Sequence, residues 1–444
     1  MGSATFRGPF RSTRKSPSKL VFVKSPSSAV LMAVLLLGLC SVPAEPQDAV
    51  FREAFALYRA GSIAEARSIL LKAVTSSSPS ALDYTLLGSI DYQAGRLNDA
   101  EHYLRRALAL MPALPGTRLT LANVLAAQGK NSEARAAFGK VLAADPRNVE
   151  ALMALGRLQM ERRRFSEAAT LFERALKIAP ADTDAAIELA RVKNLQGQSE
   201  AALALLLNLK KIAPDDGNVL YALGALCLQM DLLKDATANL ERAVQLQPEN
   251  AKALYALASA RVANRDFPQA ITIYKKLLAG GPGNAQVNYA LGATYFITSD
   301  YSDAKPCFER SVQLQPAQVE SFYYLGLIAG DEGDTAKSIA LLKKVIERQP
   351  DHARAHIALG LAYRSSGRLA EARDELETAV RLNSKSQKAH YQLGLILAAL
   401  KQQRAAKIQL EIASRLRTES DDKVSWELAT PDQAAKHATA TPRK

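Results

Sequence analysis

Cysteine is nearly missing from this chain, with three in 444 residues. That scarcity excludes a fold built on disulfides, which needs a dense and paired set. No cysteine pair has metal-site spacing, and histidine is limited to five residues. Aromatic side chains make up only 6%, and Trp426 is the sole tryptophan. There is no glycine loop of the phosphate-cradling kind and no nucleophile elbow, so no catalytic constellation is visible. Long apolar runs are lacking too. The longest, Ala29–Leu39, is shorter than the roughly 20 residues that span a bilayer comfortably.

Acidic residues are absent from Met1–Ala44, which carries Arg7, Arg11, Arg14, Lys15, Lys19 and Lys24. A basic leader, the apolar run, and Val42-Pro43-Ala44 with small residues at its ends describe an export signal cleaved after Ala44. An uncleaved anchor through residues 29–44 and an organellar transit peptide are the alternatives. Cys40 follows Leu39, where a lipobox wants a small residue, which speaks against a lipoprotein. Removing the six leader cations from 57 basic residues, against 44 acidic ones, leaves a net charge of +7. Over 400 residues that does not argue for nucleic acid.

What is present is a period. The stretch Ala81–Leu114 reads ALDYTLLGSIDYQAGRLNDAEHYLRRALALMPAL. Its first half has apolar residues at helical spacing and ends at Gly95, suited to the left-handed conformation that closes a helix. Asn98 and Glu101 predict a capping box for a second helix through Ala100, Leu104 and Ala107. Pro112 stops that helix. From Gln47 to Ser420 the 34-residue unit recurs eleven times without insertion. Position 8 is Gly or Ala in all eleven, position 20 is Ala in ten with Ser338 in the other, and position 32 is Pro in eight. Asn148, Asp182, Asp216, Asn250 and Asn284 close successive units, each placed to cap the helix that follows.

The unit resembles the tetratricopeptide repeat, and the resemblance covers about five-sixths of the chain. It implies an all-α fold, an α-solenoid in which helix-turn-helix hairpins stack into a right-handed superhelix, because one hairpin cannot bury its apolar face alone. The domain reading is a targeting leader over 1–44, repeats over 47–420 and a polar, disordered tail over 421–444. In that tail Trp426 is a candidate cap on the last repeat, a partner contact, or neither.

Position 5 is the sharpest functional feature. It reads Tyr221, Tyr255, Tyr289 and Tyr323 in four consecutive units, then Ile357, then Tyr391, with Phe51 in the first. In the resembled family the first helices line a concave groove and position 5 faces it, which implies a ladder of phenols as partner contacts. Tyrosine offers large area at low entropy cost. Equally, rings at this position fill space. The carboxylate clamp of some cochaperones in the family is not matched. The corresponding positions hold Tyr255, Ser259, Ala290, Glu320 and Tyr324.

Other candidates weigh less. Cys227 and Cys307 lie two repeats apart, beyond the ~7 Å reach of a disulfide, and read as small packing residues. His352 and His356 are four apart, with His390 one repeat on, and lack further ligands for a metal. Position 26 is basic in eight units, from Lys72 to Lys344. Glu173, Glu241 and Glu309 dilute that row, so a solvated outer face is the expectation. Arg162-Arg163-Arg164 fills one turn.

The reading is a non-enzymatic scaffold, exported to periplasm or beyond, without cofactor or metal. Its expected partner is a protein or peptide segment held in the groove. The alternative is an envelope or polysaccharide-export scaffold that binds a glycan or an export complex. Membrane contact is expected only through the leader.

Overall fold

The computed structural model describes residues 46–75, 79–281 and 283–421. The proposed leader and the tail with Trp426 lie outside them. Among the described residues there are twenty-two α-helices and no strand. Consecutive helices pair as antiparallel hairpins, eleven in all, each with a first (A) and a second (B) helix. The second hairpin is typical, with Ala81–Gln93 followed by Leu97–Leu110. The described chain divides into two compact units, residues 46–212 with five hairpins and residues 213–421 with six. Within each, hairpins stack in chain order, and successive buried apolar clusters fill the space between them. No helix among the described residues is long and apolar enough to cross a membrane.

Seven of the A helices start where a side-chain oxygen accepts from their exposed N–H groups. Asn148 accepts from Ala151 N, Asp182 from Ala185 N, Asp216 from Asn218 and Val219, Asn250 from Lys252 and Ala253, and Asn284 from Gln286 and Val287. Ser80 and Asp83 form a complete capping box. Each such cap is worth about 1 kcal/mol.

Apart from Thr335–Arg348, where Asp334 accepts from Lys337 N, the B helices with a described N-cap start without a side-chain cap, which corrects the capping box expected at Asn98 and Glu101. The helix begins at Leu97, with Arg96 as N-cap and no side-chain cap bond. The turn closes through the backbone instead. Arg96 N donates to Asp91 O at 2.8 Å, and Gly95 takes φ +74°. That six-to-one bond over a left-handed residue is a Schellman closure. It leaves Asn98 and Glu101 to receive Gln128 and Lys130 from the next hairpin. The same closure recurs at Lys130–Leu125, Arg164–Gln159 and Leu232–Cys227. In five turns the left-handed residue is not glycine: Arg163, Asp231, Arg265, Ser299 and Lys401. Each carries the steric cost of a Cβ there, roughly 1–2 kcal/mol.

Packing inside each hairpin is set by a close approach at position 8. A Cβ built on Gly224 would lie 2.6 Å from Leu240 Cγ and 3.2 Å from the Ala236 carbonyl oxygen. On Gly156 it would lie 2.5 Å from the Phe172 ring. Position 20 faces the same contact. Ala66, Ala100, Ala134, Ala168, Ala202 and Ala236 are all fully buried. Ser338 fits there because its hydroxyl donates to the Gly326 carbonyl at 2.7 Å, leaving no unpaired polar group.

Two outcomes test this packing. Ala236→Leu and Gly224→Val each overpack the helix contact and cost ~1–3 kcal/mol in denaturant unfolding. Unchanged midpoints would refute the packing. Arg265→Gly relieves a left-handed strain and raises stability by ~0.5–1 kcal/mol, whereas Gly95→Ala lowers it by ~1 kcal/mol.

Candidate functional site

Along the A helices of residues 217–399, position 2 is exposed or half-buried in every hairpin, and position 5 beside it varies from exposed to buried. These positions touch across repeats. Gln286 Nε2 donates to Tyr255 Oη at 3.2 Å. Arg354 Nη2 donates to Glu320 Oε2 at 3.1 Å, and the guanidinium lies 5.0 Å from the centre of the Tyr323 ring. His352 closes the cluster. Its Nε2 faces Glu320 Oε1 at 3.1 Å, its Nδ1 accepts from Ala355 N at 2.9 Å, and its ring sits 5.2 Å from Tyr323. Both Glu320 oxygens are therefore engaged. Arg354 is partly buried, and its pKa moves up: burial lowers it, but Glu320 and the nearby phenols more than compensate.

The five tyrosines expected as one ladder are not presented alike. Tyr391 is 44% exposed and continues into Leu395 at 36%. Tyr221 and Tyr255 are half-buried. Tyr323 is 8% exposed, and its phenol is pushed up to about 12, by burial first, with Arg354 opposing. Tyr289 is 1% exposed and sits inside the repeat stack. The reason is Tyr324. Position 6 is Ala222, Ala256, Ala290 and Ala358 in flanking repeats but a ring in this one. Tyr324 stacks on Phe308 at 5.0 Å and meets Tyr289 at 6.2 Å, roofing it over. The Tyr289 hydroxyl points toward Tyr324 yet makes no bond of good geometry, and burial drives its pKa well up.

Sequence reading missed Gln286, Arg354 and His352 as members of this face, and gave Glu320 and Tyr324 no role. The signal available was the polar row at position 2, namely Lys252, Gln286, Glu320, Arg354 and Lys388, one per repeat beside the rings.

The basic row at position 26 has a use the sequence did not show. Arg174 Nη2 donates to the Pro146 carbonyl and Lys276 Nζ to the Pro248 carbonyl, each at 3.2 Å. Arg242 pairs with Asp215 at 2.8 Å. These cations latch one hairpin onto the loop that closes the preceding one, so their heads are held by the protein itself. In the Arg162-Arg163-Arg164 turn, Arg164 reaches Glu167 at 3.4 Å, while Arg163 supplies the left-handed residue.

Neither Cys227 nor Cys307 is in a disulfide. Burial pushes the Cys307 thiol up to about 11, with Asp303 adding and Lys275 opposing. Such a thiol stays protonated at neutral pH and is a poor nucleophile. Among the described residues no group of His, Cys, Asp or Glu side chains could hold a metal ion. His352, His356 and His390 are buried and engaged in hydrogen bonds within the fold.

Family models described as tetratricopeptide repeat match residues 119–183, 325–386 and 366–407, residues 159–227 and 228–293, and residues 285–318. Together they cover more than half of the chain. No curated protein matches it. Among solved structures, a tetratricopeptide repeat protein from Parabacteroides merdae ATCC 43184 is similar at 19% identity. It covers 56% of this chain and 98% of its own, with TM-score 0.48. The Cut9–Hcn1 hetero-tetramer of APC/C is similar at 16% identity, over 89% of this chain and 83% of that one, with TM-score 0.47. YrrB, titled a TPR protein with an unusual peptide-binding site, is similar at 22% identity, over 41% and 95%, with TM-score 0.36.

The buried, unbonded Tyr289 hydroxyl yields a test. Tyr289→Phe removes a desolvated polar group without changing shape and raises stability by about 1 kcal/mol in thermal unfolding. A loss of similar size would show that the hydroxyl has a partner.

Proposed function

The chain belongs to the tetratricopeptide repeat family, and we propose that it is a non-enzymatic scaffold that holds an extended protein or peptide segment along the A-helix face of residues 217–399. The observation that supports this most is the contact of position-2 polar groups with position-5 rings from repeat to repeat. An extended chain meets a hydrogen-bonding or charged head at each step, with ring surface beside it where position 5 is open, at Tyr221, Tyr255 and Tyr391. Arg354 is pre-positioned by Glu320 and Tyr323, so little side-chain entropy is lost when it contacts a ligand. Tyr391 and Leu395 add exposed apolar area one repeat further on. Tyr221 and Tyr255 contribute part of their rings, while Tyr289 and Tyr323 support the wall from behind.

The proposed setting is the cell envelope. It rests on the basic, apolar and small-residue order of Met1–Ala44, and N-terminal sequencing of the mature protein checks it.

Binding is tested with a displayed peptide library, followed by affinity measurement on a selected peptide. Arg354→Ala with Tyr391→Ala lowers its affinity at least tenfold, about 1.4 kcal/mol or more, while circular dichroism stays helical. Unchanged affinity in the double variant contradicts the reading. Selective retention of glycans rather than peptides on an array would favour the glycan-binding alternative.

A further inference from the structure

Hairpins ten and eleven carry histidine at the same place, position 4 of the A helix, and grip the ring in the same way. His356 Nε2 is 2.9 Å from the Pro350 carbonyl oxygen, and Nδ1 is 2.6 Å from Glu375 Oε2. His390 Nε2 is 3.0 Å from the Ser384 carbonyl oxygen, and Nδ1 is 2.6 Å from Gln409 Oε1. Both residues are buried, 7% and 4% exposed. Each ring thus ties its A helix to the loop before it and to its own B helix.

A carbonyl oxygen only accepts, so each Nε2 carries a proton. At Nδ1 the two sites part. The carboxamide of Gln409 can turn its NH2 toward a bare Nδ1, because amide oxygen and nitrogen are interchangeable in placement. His390 is therefore satisfied as a neutral ring. Glu375 as a carboxylate has no proton to give. His356 then needs a proton on both nitrogens.

We propose that His356 is a proton-gated staple: as an imidazolium it fastens the tenth A helix, and loss of the Nδ1 proton to solvent releases it, while the eleventh hairpin keeps its own tie at either pH. After that loss the Nδ1 lone pair faces the Glu375 carboxylate, and attraction becomes repulsion. The charged groups bearing on the ring are Glu375, which favours the proton, and Arg381 on the same B helix, which opposes it. Burial alone would lower the imidazole pKa. The bonds to Glu375 and to the Pro350 carbonyl outweigh it, and the net direction is up.

The sign follows. An unfolded histidine titrates near 6.5. A raised folded pKa means the staple's stabilisation is complete below that value and is lost as pH climbs through the folded one. The released helix is the one that carries Arg354 and starts on His352. A pH effect on partner capture would therefore rest on the groove reading, whereas the protonation of His356 does not.

The experiment uses the full chain with 15N-labelled histidine, and unfolding is followed from about pH 6 to about pH 9. At neutral pH the imidazole shifts show two ring protons on His356. Glu375→Gln recreates the pairing of hairpin eleven. It leaves His356 with one ring proton and removes the stability loss seen in the unaltered chain as pH rises. The proposal is overturned if His356 carries a single proton at neutral pH, or if the two proteins lose stability in parallel as pH rises. The readout is proton occupancy, so failure of the groove reading leaves this test intact.

Discussion

The contact on which the rest depends is the approach of two helices at position 8. A glycine or alanine there lets the side chain at position 24 lie against the A-helix backbone, as Leu240 does at Gly224 and Phe172 at Gly156. Position 20 must then be small, and it is fully buried alanine in one hairpin after another. A hairpin closed this tightly still leaves one apolar flank open, which only a neighbouring hairpin can cover. The period of 34 residues is the sequence record of that need. Polar groups that enter the contact arrive with partners, as the Ser338 bond to Gly326 shows.

Once hairpins stack, side chains are allotted by face. B helices give their inner positions to the core and, at Arg174, Arg242 and Lys276, their position-26 cations to the loop of the preceding repeat. In residues 217–399 the A helices keep position 2 exposed or half-buried, whereas position 5 ranges from exposed Tyr391 to buried Tyr289, Tyr323 and Ile357. Where a repeat puts a large ring beside them, the face closes, as Tyr324 closes over Tyr289. In the last described hairpin, Tyr391 and Leu395 are exposed. How much of each position-5 ring is exposed is thus a by-product of packing in its own repeat and the next.

Much of this was readable before any coordinates. Small residues at positions 8 and 20, proline at 32 and the Asn and Asp caps each have one local cause, and local causes leave local signatures. The structure places the caps at Asn148, Asp182, Asp216, Asn250 and Asn284 where spacing put them. The failures share a different cause. Asn98 looked like a cap because its neighbourhood fits one, yet a backbone bond from Arg96 to Asp91 had already closed that turn. The tyrosines looked alike because position 5 is shared, but their exposure depends on distant neighbours: Tyr324, 35 residues on, lies against Tyr289, and Arg354 and His352 lie against Tyr323. Arg265 and Ser299 stand where glycine would be expected, and only the recurrent closure shows that they adopt φ above +60°. The His356 staple needed three segments to be seen together.

The central claim is that stacking leaves the A helices as the binding face and engages the B helices in holding the array. Hydrogen exchange of the full chain with and without a selected peptide tests it most directly. The account predicts added protection in the A helices from Gly217–Gln229 through Gln387–Ala399, with the intervening B helices unchanged. Protection confined to the B helices, or spread evenly over both, would contradict it.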